Sequence, residues 1–164
     1  MTLIRIYIPL TAAGLRSLDA DRVVAGAPFV AHAVTDAVRA SAPTAGQDGW
    51  EYSALSDAAL RSAVLLTTGE SHRIVAAADV TPETVAAAAP GDAPDSGDFI
   101  DDSAVLILDS VALNRIASFH VDADGASEDD DLLWYDVTEL SVILASIGRA
   151  VKKRGRPGTH NPSG

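Results

Sequence analysis

The chain has 164 residues, 48% of them apolar, with 23 acidic against 12 basic residues and a formal charge of −11. That length and apolar content exclude a disordered chain and leave little room for two domains, and the absence of cysteine excludes disulfides, thiolate catalysis and cysteine metal sites. All 23 acids and seven arginines fall in residues 1–148, a formal −16 that repels phosphate and makes the body a poor nucleic-acid binder, whereas residues 149–156 hold the other five basic residues.

In chain order, LIRIYIP (3–9) alternates, with Ile4, Ile6 and Ile8 on one face and Leu3, Arg5 and Tyr7 on the other. This pattern predicts a strand with one core face, stopped by Pro9. The segment has neither the length nor the basic flank of a signal peptide, and no run approaches the ~20 apolar residues of a membrane span. A cytoplasmic protein without a membrane partner is the expectation. Thr11 is placed to cap a short helix carrying Leu15 and Leu18. FVAHAV (29–34) reads as a second strand, Thr35 as the cap of a helix over DAVRAS, and APTAGQDG (42–49) as a loop.

From Trp50 to Leu66, Tyr52, Leu55, Ala59, Ser62 and Leu66 recur at helical spacing, and Gly69 suits the stop. RIVAAADV (73–80) predicts a strand whose small side chains let a helix approach closely. Thr81-Pro82-Glu83 has the order of a helix start and predicts a short alanine helix. GDAPDSGDFIDD (91–102) and DADGASEDDD (122–131) read as acidic loops around two more strands, AVLIL (104–108) and IASFHV (116–121). LLWYDV leads into a last helix, with a short strand as an option; Asp136 and Glu139 stand at capping-box spacing, and Leu140, Leu144, Ile147 and Val151 form its apolar stripe. Trp134 and Tyr135 are expected in the core. The fold class that results is α+β: a mixed sheet of about five strands packed against three or more helices. A single domain is expected over 1–151, with a flexible basic tail over 152–164.

RIYIP, AHAVTDAVR, EYSALSDAALRS, RIVAAADV and LLWYDVTEL together resemble an actinobacterial family of uncharacterised proteins, over roughly residues 4 to 144. The resemblance implies a lineage and a cytoplasmic setting, and carries over no catalytic residue.

Chemistry-bearing patterns are few. His32, His72, His120 and His160 stand at no ligand spacing, and His32 and His120 read as sheet residues satisfied by a neighbour. Asp122 and Asp124 match the first and third positions of a calcium hand, but Gly125 comes too early and Leu133 replaces the closing glutamate. Phosphate-binding glycine loops and GxSxG are absent. No catalytic, cofactor-binding or metal residue is therefore assigned, no cofactor is expected, and the reading leans away from an enzyme. A non-catalytic protein-interaction or regulatory module is expected instead, its acidic loops suited to a basic protein partner. The alternative lies in the tail. Lys152, Lys153, Arg154, Gly155, Arg156 and Pro157 resemble an AT-hook: glycine lets the backbone lie in the minor groove, while the guanidinium groups follow the narrow groove of AT-rich DNA. An enzyme assembled from scattered residues is the third reading.

Overall fold

The computed structural model of the chain describes residues 2–92 and 100–154, the last six as backbone only. Its elements are β1 (Ile4–Leu10), α1 (Ala12–Asp21), β2 (Val23–Val24), β3 (Phe29–Ala33), α2 (Asp36–Ser41), α3 (Gly46–Leu65), β4 (Ile74–Val80), β5 (Val85–Ala87), β6 (Ala104–Ile107), β7 (Val111–Ala112), β8 (Ile116–Val121), β9 (Leu133–Asp136) and α4 (Leu140–Arg154). Among the described residues, seven strands form one sheet in the order β5-β6-β3-β1-β4-β8-β9, and β2 pairs with β7 in a separate ribbon. The fold is α+β. Each of these pairings is antiparallel, so the expected mixed sheet of about five strands is corrected to an antiparallel sheet of seven. A strand as short as β5 falls below the run length from which alternation can be read, and the short strand offered as an option over LLWYDV is present as β9.

Both faces of the sheet are covered at its centre. On one face Ile6, Ile8, Ala31, Ile74, Ala76, Val105, Ile107 and Phe119 meet Leu15 and Leu18 of α1 and Leu140, Ile143 and Ile147 of α4. On the other, Ala54, Ala58 and Ala59 of α3 lie against Tyr7, Val75 and Ala77. Alanine facing alanine brings α3 close to β4, as the run of small residues predicts. It also buries Tyr7, so β1 has two core faces rather than one. Ser62 ties this contact to the backbone: its hydroxyl donates to the Leu10 carbonyl at 2.6 Å and accepts from the Ile74 amide at 3.0 Å.

Local signals fixed several ends. The Thr11 and Thr35 hydroxyls accept from the Gly14 and Val38 amides and start α1 and α2. Asp136 and Glu139 form the capping box ahead of α4. Two expectations fail, and a third holds only in part. Helix α3 begins at Gly46, inside the stretch read as loop, and ends at Leu65, ahead of Gly69. The alanine run after Pro82 makes one 3₁₀ turn and then β5, with Ala86 opposite Leu106. Only residues 83–89 separate Pro82 from Pro90, too few for a self-supporting helix, whereas the edge of β6 offers a ready ladder. In α4 the buried stripe runs through Leu140, Ile143 and Ile147, with Leu144 half-buried beside it. The helix is described through Arg154, and the side chain of Val151 lies outside the described residues.

Candidate functional site

Arg73 sits just ahead of β4, 7% exposed, and faces Asp122 just past β8, also 7% exposed. Its Nε and Nη2 donate to the two carboxylate oxygens of Asp122 at 2.9 and 2.7 Å, the two-point geometry that guanidinium and carboxylate share. Nη1 donates to the Glu128 carbonyl, and Nη2 also to those of Ser127 and Asp130. The hydrogen bonds of Asp122 raise the Arg73 pKa further above its ordinary value. The 122–131 loop is therefore wrapped around a buried cation rather than being loose in solvent.

That wrapping shapes a groove of about 460 Å³ between α3 and the loop. Leu55, Ala59, Leu60 and Leu132 supply apolar wall, and Glu128, Asp129, Asp130 and Asp131 supply the rim. Tyr52 also lines the groove, its hydroxyl donating to Asp131 at 3.2 Å. Tyr52, placed on the apolar stripe by helical spacing, is 60% exposed, and Leu60 is 57% exposed. Trp134, expected in the core, is 62% exposed on the edge strand β9. Strand alternation turns it away from Tyr135, which packs beside the core of the α4 face.

A second polar cluster lies where α3 crosses β3. His32 is fully buried, and its Nδ1 is 2.9 Å from the hydroxyl of Ser103, itself fully buried. Ser103 donates to Asp57 on α3 at 2.7 Å. With that proton committed to an ionised Asp57, the serine oxygen accepts from Nδ1–H of His32, which leaves Nε2 as a bare lone pair. Nε2 is buried and has no hydrogen-bond partner, and the same holds for Nε of nearby Arg61. Burial, with Arg61 adding to it, lowers the His32 pKa to about 4, so the ring is neutral at neutral pH. Burial raises the pKa of Asp57, partly offset by the Ser103 hydrogen bond, and raises that of Asp101, where the charge of Asp57 adds and Arg61 opposes. Ser103 is no candidate nucleophile, because nothing from solvent reaches its oxygen.

The expectation of a satisfied sheet histidine thus holds at one ring nitrogen of His32 and fails at the other. No spacing signalled the cluster, since positions 32, 57 and 101 meet only through the packing of α3 on β3 and the pairing of β3 with β6. His120 is the ordinary case, its Nε2 3.1 Å from the Ser118 hydroxyl, and His72 pairs with Asp124 at 2.8 Å. Of the tail residues, Lys152, Lys153 and Arg154 form the last described turn of α4, whereas Gly155, Arg156 and Pro157, like His160, lie outside the described residues. So does most of the 91–102 loop, of which residues 93–99 are not described. Among the described residues no helix is long and apolar enough to cross a membrane.

Comparison with known proteins places residues 4–130 in one family, described as a family of unknown function (DUF6912). The matched stretch holds RIYIP, AHAVTDAVR, EYSALSDAALRS and RIVAAADV, together with Arg73, Asp122 and the His32 cluster. LLWYDVTEL and the basic tail lie beyond it. No curated protein and no solved structure matches the chain.

Proposed function

We propose, for a chain that belongs to the family of unknown function DUF6912, a non-catalytic role: a module that receives a basic segment of a partner protein in the groove between α3 and the 122–131 loop. The observation that carries this reading is the rim. Four consecutive acidic side chains, Glu128 to Asp131, stand over a partly apolar wall on a backbone anchored by Arg73. An anchored loop loses little conformational entropy on binding, which favours a preformed docking site. Complementary charge speeds encounter and sets register, and an apolar anchor beside Leu60 slows release.

A displayed peptide library selected on the full chain, followed by fluorescence anisotropy on the selected peptides, tests this. The expected ligands carry lysine or arginine around one large apolar residue, and their binding weakens as salt rises. Leu60→Ser and Asp129→Asn, both at exposed positions, are each expected to weaken them about tenfold or less, in keeping with ordinary interface contacts. Selected peptides without basic enrichment, or binding indifferent to both variants, would sink the proposal. A peptide of residues 149–158 that outbinds every selected sequence would also sink it, since the groove would then serve this chain's own tail.

A further inference from the structure

We propose that His32, Asp57 and Asp101 form a binding site for a first-row divalent transition cation, with zinc as the representative ion. One ring nitrogen of His32 and one carboxylate oxygen from each aspartate all lie within 4.8 Å of one another. The three ligands come from three elements: β3, α3 and the segment entering β6. Ligands at about 2.1 Å from a tetrahedral ion stand about 3.4 Å apart, so donors within 4.8 Å of one another need approach by no more than about 1.4 Å, a distance within reach of the two partly exposed aspartate side chains.

The independent observation is the lone pair on His32. A fully buried imidazole nitrogen without a partner is costly unless something occupies it. The opposite nitrogen is held through Ser103 to Asp57, the kind of hydrogen-bonded support that fixes ring orientation and tautomer in metal-ligating histidines. The Asp101–Ser103 segment is itself tied down. The Ala33 amide donates to the Ser103 carbonyl at 2.8 Å, Ser41 donates to the Asp102 carboxylate at 2.6 Å, and Thr35 donates to the Asp102 carbonyl. Such anchoring keeps the donors near one another before any ion arrives.

Charge and donor type select the ion. Two carboxylates against the one guanidinium of Arg61 leave the cluster with net negative charge, which a divalent cation reverses. One nitrogen and two oxygens suit zinc or manganese better than magnesium or calcium, which favour oxygen alone. Three protein ligands leave a further coordination position for water or a small ligand.

The test uses the full chain, stripped with chelator and then titrated with zinc chloride or magnesium chloride. Saturating zinc is expected to raise the melting temperature by about 5 °C, with no comparable rise for magnesium. The double variant Asp57→Asn and Asp101→Asn, which keeps an oxygen acceptor for Ser103, is expected to lose the zinc response. Since zinc can also collect on the acidic loops, long-range proton–nitrogen spectra of the imidazoles supply the second measurement. A ring-nitrogen signal of His32 should move with zinc at lower concentration than those of His72, His120 and His160. An unmoved His32 signal overturns the site, as does a thermal response that survives in the double variant.

Discussion

Arg73→Met is expected to destabilise the fold by about 3–5 kcal/mol, because it leaves the Asp122 carboxylate buried without its counter-charge. For a domain of this size that lowers the melting temperature by roughly 10 °C. Replacing both partners, Arg73→Met with Asp122→Leu, removes the stranded charge and is expected to recover part of the loss. Recovery stays incomplete for two reasons. Arg73 also satisfies the carbonyls of Ser127, Glu128 and Asp130, and Asp122 accepts from the Arg73 amide at 2.9 Å. Thermal melts of the two single variants and the double variant check the energetics. Limited proteolysis checks the geometry, since the 122–131 loop should be cut faster once its anchor is gone. A single variant that melts like the wild type would mean that the loop holds its shape without the cation.

Ile143→Asp is expected to prevent cooperative folding altogether. Ile143 is 1% exposed between Leu140 and Ile147, and an unpaired carboxylate there costs several kcal/mol, a large share of what a domain of this size has. Leu144→Asp, one position round the helix at a half-buried site, is expected to cost less and leave a folded protein. Circular dichroism melts of the two variants read the phase of α4 directly. If Leu144→Asp proves the more damaging, the helix is rotated from the orientation described.

The same pair of residues shows where sequence pattern stops being informative. Leu140, Leu144, Ile147 and Val151 fit a helical stripe, and so do Leu140, Ile143 and Ile147; the choice is made by which side chains α1 and the sheet leave room for. Alternation placed β1 and apolar or small-residue runs placed β3, β4, β6 and β8, while hydroxyl or carboxylate caps fixed the starts of α1, α2 and α4. The strands that escaped, β2, β5 and β7, are only two or three residues long and owe their conformation to a pairing partner. Trp134 was misplaced for a related reason. Burial of an aromatic at a strand position depends on whether a helix covers that column of the sheet, and α3 packs over β3, β1 and β4 instead. The Arg73 anchor and the His32 cluster depend on contacts between distant segments, such as 73 with 122 and 32 with 103, and no local spacing encodes them.

The placement of β1 at the middle of the sheet has a consequence for the order in which the protein can acquire its shape. Strand β1, which leaves a ribosome ahead of both its neighbours, is flanked in the finished sheet by β3 on one side and β4 on the other, and Arg5 finally lies opposite Asp79. Until the chain has been made past Val80, a strand of alternating isoleucines has one ladder unfilled and one hydrophobic face without its full cover. Long-range pairing of this kind is slow compared with local helix formation, so α1 and α3 can form while β1 still waits. A nascent chain halted within α3 would present that strand to whatever lies nearby, which makes the interval between the making of β1 and that of β4 the time when this protein most needs protection from aggregation.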